Sequence, residues 1–217
     1  MNFYLDLDGT LIDVLHRHYA VYSRIAHALA FPPLDFGRYW SLKRAGTPLA
    51  QILKKSGAIK NIEGFRAMWL SLIEKDDYLD KDTVLPRTAV VLKTFRLKHN
   101  LILVTLRHSQ PALARQLERL KLTSIFHKII SAAASGGGAE FKESLVRQHQ
   151  QVSGGWMVGD TEADVVAARA LGLVSCAVTS GLRSAKFLRA LKPDYIIESI
   201  AGLPAIDKFA ALINPGL

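Results

Sequence analysis

Six short apolar runs alternate with amphipathic stretches along this chain, and that rhythm constrains the fold more tightly than any other feature. The runs are FYLDL at 3–7, NLILVTL at 100–106, HKIIS at 127–131, WMVGD at 156–160, LVSCAV at 173–178 and DYIIES at 194–199. Helical periodicity fills 111–121, 140–151, 162–171 and 184–191 between them. Strands joined through helices pair in parallel, so the pattern predicts an α/β fold, a doubly wound Rossmann-like parallel sheet.

Residues 14–82 interrupt the alternation. HRHYAVYSRIAHAL, LAQILKKSG and EGFRAMWLSLIEKDDYL have helical spacing, and Pro32-Pro33, Gly46-Thr47-Pro48 and Gly57 punctuate them. No strand pattern intervenes, so about four helices are expected as an insertion after the first strand. The division is then a core domain of 1–13 and 83–217 and an inserted helical domain of 14–82. The Gly-rich AAASGGG at 132–138 lacks the trailing Gly-Lys-Ser/Thr of a phosphate loop and is expected to be a flexible connection.

At 217 residues and 49% hydrophobic content the chain can bury one good core and a smaller satellite. No apolar run approaches the roughly 20 residues that span a bilayer, and Asp6 arrives before a signal-peptide pattern can develop. A cytoplasmic protein without membrane partners is expected. Cys176, the single cysteine, sits within LVSCAV and reads as a buried structural thiol. An excess of 28 Lys and Arg over 19 Asp and Glu, net +9, favours anionic partners. The basic residues are dispersed and aromatics are only 8%, which disfavours nucleic acid and suits small phosphorylated metabolites.

The first strand ends in two carboxylates. A period of two sends Asp6 and Asp8 to the same side, where like charges repel unless a cation intervenes. An isolated Asp-X-Asp-Gly reads equally well as a solvated turn. Ligands of open α/β sheets bind outside the carboxyl ends of the strands, and those ends carry Thr105, Asp160 and, one helical turn later, Asp164. Lys142 begins the helix after HKIIS. Singly, Thr105 and Asp160 could serve as helix caps and Lys142 as a surface charge. Together they place three carboxylates, a hydroxyl and a lysine on one edge.

DLDGTLID, LILVT, Lys142 and VGDTEAD resemble, in that order, the four motifs of the haloacid dehalogenase superfamily in its phosphatase branch. ADVVAARALGL and the stretch from VTSGLRS to LRALKPDYIIESIAGL resemble the phosphoglycolate-phosphatase-like members. The resemblance implies a phosphohydrolase acting on a small phosphate ester. Asp6 would attack phosphorus to form an aspartyl-phosphate. Asp8 would act as acid and then base, with a pKa above that of Asp6. Mg²⁺ would be held by Asp6, the Asp8 backbone carbonyl and Asp160, with Asp164 outside or bound through water. Thr105 and Lys142 would hold phosphoryl oxygens, and Gly9 and Leu106 would line the phosphate.

The insertion stands where superfamily members carry a helical cap, and substrate choice is expected there, with His16, Arg17, Lys43, Arg44 and Thr47 as candidates. Leu106-Arg107-His108 replaces an Asn and a basic residue found in many members, and Glu143-Ser144 follows Lys142 where many have Pro. The substrate is therefore not transferred from them. A sugar-phosphate mutase and a non-catalytic phosphate-binding protein are the alternatives. A monomer or homodimer is expected.

Overall fold

The computed structural model describes residues 1–57, 62–133, 138–149, 151–152 and 154–206. Its strands are β1 (Asn2–Leu5), β2 (Ile12–Asp13), β3 (Thr83–Val84), β4 (Asn100–Thr105), β5 (Lys128–Ser131), β6 (Trp156–Gly159), β7 (Val174–Val178) and β8 (Tyr195–Ile197). Its helices are α1 (Leu15–Ala28), α2 (Phe36–Arg44), α3 (Leu49–Lys55), α4 (Ile62–Leu72), α5 (Asp76–Leu79), α6 (Thr88–Arg96), α7 (Gln110–Arg119), α8 (Gly138–His149), α9 (Glu162–Ala170) and α10 (Ala185–Ala190).

All six apolar runs enter one parallel sheet in the order β5-β4-β1-β6-β7-β8. Alternate residues supply two separate cores. Phe3, Leu5, Leu101, Leu103, Trp156 and Val158 pack on one face with Leu92 and Phe95 of α6 and Leu113 of α7. Tyr4, Ile102, Val104 and Met157 pack on the other with Val146 of α8 and Ala168 of α9. Each Leu- or Phe-sized side chain so buried contributes about 1.5–3 kcal/mol, which is why the central strands β1, β4 and β6 carry successive apolar residues rather than apolar residues at every second position. The chain order reverses beside β1, and the crevice there opens at the carboxyl ends of β1, β4 and β6.

Among the described residues the insertion holds five helices, α1 to α5, where about four were expected; the extra one is the single turn α5. Val21, Tyr22 and Ile25 of α1 pack with Tyr39, Ile52, Leu53 and Phe65 in a cluster distinct from those of the sheet. The chain enters and leaves this region through β2 and β3, which pair antiparallel with Ile12 opposite Val84 and Asp13 opposite Thr83. Two residues are too few to give a readable strand pattern. Of the Gly-rich stretch, 134–137 lie outside the described residues.

Polar contacts with the core hold the insertion on both sides. Arg44 Nη2 donates to the Thr179 carbonyl at 2.8 Å, and Arg183 Nη1 donates to that of Lys43 at 3.1 Å. Gly46 lies beside the Phe187 ring at a φ of +71°, and a Cβ there would meet the ring at 2.2 Å. On the other side the Glu74 carboxylate accepts the backbone N–H of His108 at 2.9 Å and of Ser109 at 2.8 Å, just before α7. Among the described residues no helix is long and apolar enough to cross a membrane.

Candidate active site

The apolar run FYLDL outlasts its strand. β1 ends at Leu5, and its ladder continues for one bond, Asp6 N–H to the Val158 carbonyl at 3.0 Å. The chain then turns: the Leu7 carbonyl accepts the N–H of Leu11 at 2.9 Å, and Gly9 adopts a φ of +77°. The Asp-Gly turn is therefore present, yet its carboxylates are not solvated. The Asp6 side chain is 12% exposed and that of Asp8 24%.

Their surroundings differ. Asp6 Oδ1 accepts from Lys142 Nζ at 2.6 Å, and the same ammonium donates to Asp164 Oδ1 at 2.5 Å. Asp8 instead takes Arg17 Nη2 on Oδ2 and Arg107 Nη2 on Oδ1, both at 2.6 Å. The two aspartates do not share one cation, as strand periodicity alone would have them do. Ending the strand at Leu5 frees Asp8 to face another set of residues.

Asp6, Asp160 and Asp164 form the acidic cluster, with a ligating oxygen from each within 4.8 Å of the others. Asp160 is fully buried; its Oδ2 accepts the Leu182 N–H at 2.6 Å, and Thr10 Oγ1 lies 3.4 Å from Oδ1. Two glycines admit it: a Cβ on Gly9 or Gly181 would fall 2.3 or 2.0 Å from Asp160 Oδ2. Asp160 is not the cap of α9. Thr161 is, in a capping box whose Asp164 Oδ2 accepts Thr161 N–H at 3.1 Å and its hydroxyl at 2.7 Å. Nor does Thr105 cap α7, since Ser109 does so through Ala112 N–H. Thr105 ends β4, buried, and Lys142 is 3% exposed rather than a surface charge.

Three buried carboxylates thus stand together with one lysine, which pairs with Asp6 and Asp164, leaving a formal excess of about two negative charges in a water-poor site. Burial, opposed by Lys142 and reinforced by Asp164, pushes Asp6 up to about 7. Burial and then the charge of Asp6 lift Asp160 well above the usual range. A hard dication would supply the missing charge, and Asp6 Oδ2 accepts no hydrogen bond among the described residues. The residues fit Mg²⁺.

Asp8 has the opposite surroundings. Burial alone would raise it, but Arg107 and then Arg17 hold it below the usual carboxylate range. Two guanidiniums outweigh desolvation at this carboxylate.

The insertion's candidates separate. Lys43 and Thr47 line a cavity of about 560 Å³ together with Tyr39, Phe65, Trp69 and Arg183. Burial and the Arg183 charge lower Lys43 to about 8, and its Nζ lies 5.6 Å from the Trp69 ring centroid. Arg17 is 1% exposed and paired with Asp8 and Asp82, the latter an ion pair at 3.0 Å, and it borders a cavity beside Asp8. Arg44 is spent on the Thr179 carbonyl, and exposed His16 stacks on Phe36. Both were expected to meet substrate; instead Arg44 anchors the insertion and His16 lies on its surface. Leu106 and Arg107 line a smaller cavity of about 170 Å³ that reaches Asp8 and shares His18, Trp69 and Leu70 with the larger one.

Sequence reasoning missed Glu162 and Arg183, which pair at 2.6 Å against the larger cavity. It noted Arg107 only as a departure and passed over Gln116 and Asp82. Gln116 had a signal: it is a polar residue within the buried stripe Ala112, Leu113, Gln116, Leu117 of α7. Cys176 is buried, as expected of a structural thiol, and burial pushes it up to about 12.

Comparison with known proteins accords with this geometry. Residues 4–178 match the family of haloacid dehalogenase-like hydrolases. The chain is 26% identical to a phosphoglycolate phosphatase of Synechococcus elongatus, covering 91% of this chain and 92% of that one. It is 26% identical to a pyrophosphatase of Oceanobacillus iheyensis, covering 94% and 96%. Among solved structures, a haloacid dehalogenase-like family hydrolase of Streptococcus pneumoniae superposes with a TM-score of 0.78 at 20% identity, covering 94% and 97%. The chain belongs to the haloacid dehalogenase-like hydrolase family and is an enzyme of its phosphatase branch.

Proposed function

We propose that this chain is a Mg²⁺-dependent phosphohydrolase that acts on a small phosphate ester through a phosphorylated Asp6. The observation that carries the reading is the under-neutralised cluster of Asp6, Asp160 and Asp164 on Lys142 at the carboxyl ends of β1 and β6. Asp6 and Asp160 would hold the ion with the Asp8 carbonyl, and Asp164, both of whose oxygens accept hydrogen bonds, would stand outside. Bound there, the dication offsets the charge of the phosphoryl oxygens and keeps Asp6 ionised as a nucleophile. Lys142 and Thr105 hold those oxygens.

Asp8, ionised between Arg17 and Arg107, is set to take the proton from the water that hydrolyses the phosphorylated Asp6. Protonating the leaving group is its other expected role, and the two guanidiniums, which favour the ionised form, oppose holding the proton equally in either half-reaction. The insertion acts as a cap, and the cavity of about 560 Å³ with Lys43, Thr47 and Trp69 on its walls receives the leaving group.

The test is turnover of a panel of phosphate esters with Mg²⁺. Phosphoglycolate and inorganic pyrophosphate belong in it because the named relatives carry those substrates. Hydrolysis that EDTA and Asp6→Asn each abolish is expected. Activity that survives Asp6→Asn removes the covalent step, and no turnover of any ester removes the phosphatase reading.

A further inference from the structure

Asp8 belongs to a closed ring of buried polar side chains. Arg17 and Arg107 each hold one of its oxygens at 2.6 Å. Arg107 Nη2 also donates to Gln116 Oε1 at 3.0 Å, Gln116 Nε2 donates to Asp82 Oδ2 at 2.7 Å, and that oxygen pairs with Arg17 Nε at 3.0 Å. Two guanidiniums balance two carboxylates, and Arg17, Asp82, Arg107 and Gln116 are each no more than 3% exposed. Desolvating so many charges adds little net stability, and apolar side chains of similar volume would pack as well. What a closed ring does supply is orientation, because a carboxylate held by donors on both oxygens cannot rotate.

Position in the chain adds a second point. Arg17 lies in α1, just after the insertion begins, and Asp82 lies just before β3, where it ends. Gln116 and Arg107 belong to the core, on α7 and the loop after β4. The ring therefore joins both roots of the insertion to Asp8, and the seat of the insertion and the direction of that carboxylate form one arrangement.

We propose that Arg107, Gln116 and Asp82 are positioning residues that aim Asp8 at the water attacking the phosphorylated Asp6. This rests on the phosphohydrolase reading above. With a leaving group that needs no acid, the ring serves the second half-reaction and leaves the first untouched.

The probe is p-nitrophenyl phosphate, whose leaving group needs no acid. The variants are Gln116→Leu, which opens the ring without touching Asp8, and the pair Asp82→Ala and Asp82→Asn. In Gln116→Leu and Asp82→Ala, kcat and KM should fall together by about tenfold to a hundredfold, part of the roughly 10²–10⁴-fold that a positioned base supplies. The ratio kcat/KM, which reports transfer to Asp6, should hold within about twofold. Rapid mixing should show a burst of about one p-nitrophenolate per site as phosphorylated enzyme accumulates. Asp82→Asn keeps an acceptor for Arg17 and Gln116 and should restore kcat. Unchanged kcat in both ring-opening variants overturns the proposal, as does a fall in kcat/KM without a burst or a failure of Asp82→Asn to rescue. Wild-type protein that releases no p-nitrophenolate overturns the phosphohydrolase reading itself.

Discussion

Asp6 and Asp8 are two residues apart and live in opposite electrostatic surroundings. Asp6 shares the Lys142 ammonium with Asp164 and lies beside a third carboxylate, Asp160, whereas Asp8 is held by two guanidiniums, one of which, Arg17, also pairs with Asp82. The first cluster lacks positive charge and the second has it in full. A site short of charge is open to a cation, and a site that is complete holds its shape. The pair shows that proximity in sequence does not set a shared role: two neighbouring carboxylates are divided between binding and orientation by the cations that reach them.

The contrast can be broken most severely at Asp6. Asp6→Asn removes the nucleophile, and hydrolysis should fall by on the order of 10⁴-fold or more while the chain stays folded; steady-state turnover beside circular dichroism checks this. Retained turnover would place the reacting group elsewhere.

Next comes the complete cluster. Arg17→Met strips Asp8 and Asp82 of a shared buried partner and should destabilise the fold by about 3–5 kcal/mol. Urea unfolding measures it, and a change below about 1 kcal/mol would mean that Arg107 and Gln116 suffice.

Smaller again is the effect of thinning the acidic cluster. Asp160→Asn keeps the shape that Leu182 and Thr10 contact but withdraws a charge, and should raise the Mg²⁺ concentration for half-maximal activity by about 10- to 100-fold. An unaltered Mg²⁺ titration would remove Asp160 from the metal site.

The mildest test is pH. Asp6, lifted to about 7, and Asp160, lifted well above its usual range, keep protons in the folded chain that the unfolded chain has released. The Asp6 contribution is complete below about pH 4, the unfolded value, and is lost as pH rises through 7, and that of Asp160 is lost in the same direction. Asp8 runs the other way: its contribution is present above about pH 4 and disappears only in stronger acid, so it does not offset the loss. Metal-free protein should melt at progressively lower temperature between pH 5 and 8, and saturating Mg²⁺, which binds the ionised carboxylates, should remove the decline. A melting temperature that rises over that range contradicts the assigned imbalance.

Much of the core was readable along the chain because its determinants are local. A run apolar at every position becomes a strand buried on both faces, and a strand's carboxyl end faces the crevice, so Asp6, Thr105 and Asp160 could be placed on one edge. The two-residue strands β2 and β3 left no pattern to read, and a single-turn helix such as α5 left almost none. The insertion's contacts were less legible still. His16, Arg17, Lys43 and Arg44 are all basic residues in helical or turn contexts, yet one stacks on Phe36, one is buried on two aspartates, one lines a cavity and one anchors on Thr179. Charge and spacing are the same information for all four; reach and burial separate them.

From its residues alone the chain commits to a parallel sheet sandwiched between helices and to an acidic edge with a lysine beside it, since periodicity and strand direction depend on near neighbours. The tertiary structure alone decides what each carboxylate meets. Positions 8, 17, 82, 107 and 116 come together only through folding of the insertion against α7, and Lys142 chooses Asp6 and Asp164 because α8 crosses behind the sheet. Long cationic side chains span several ångströms, and in a buried setting the carboxylate they reach, rather than the one nearest in sequence, sets the charge each aspartate carries.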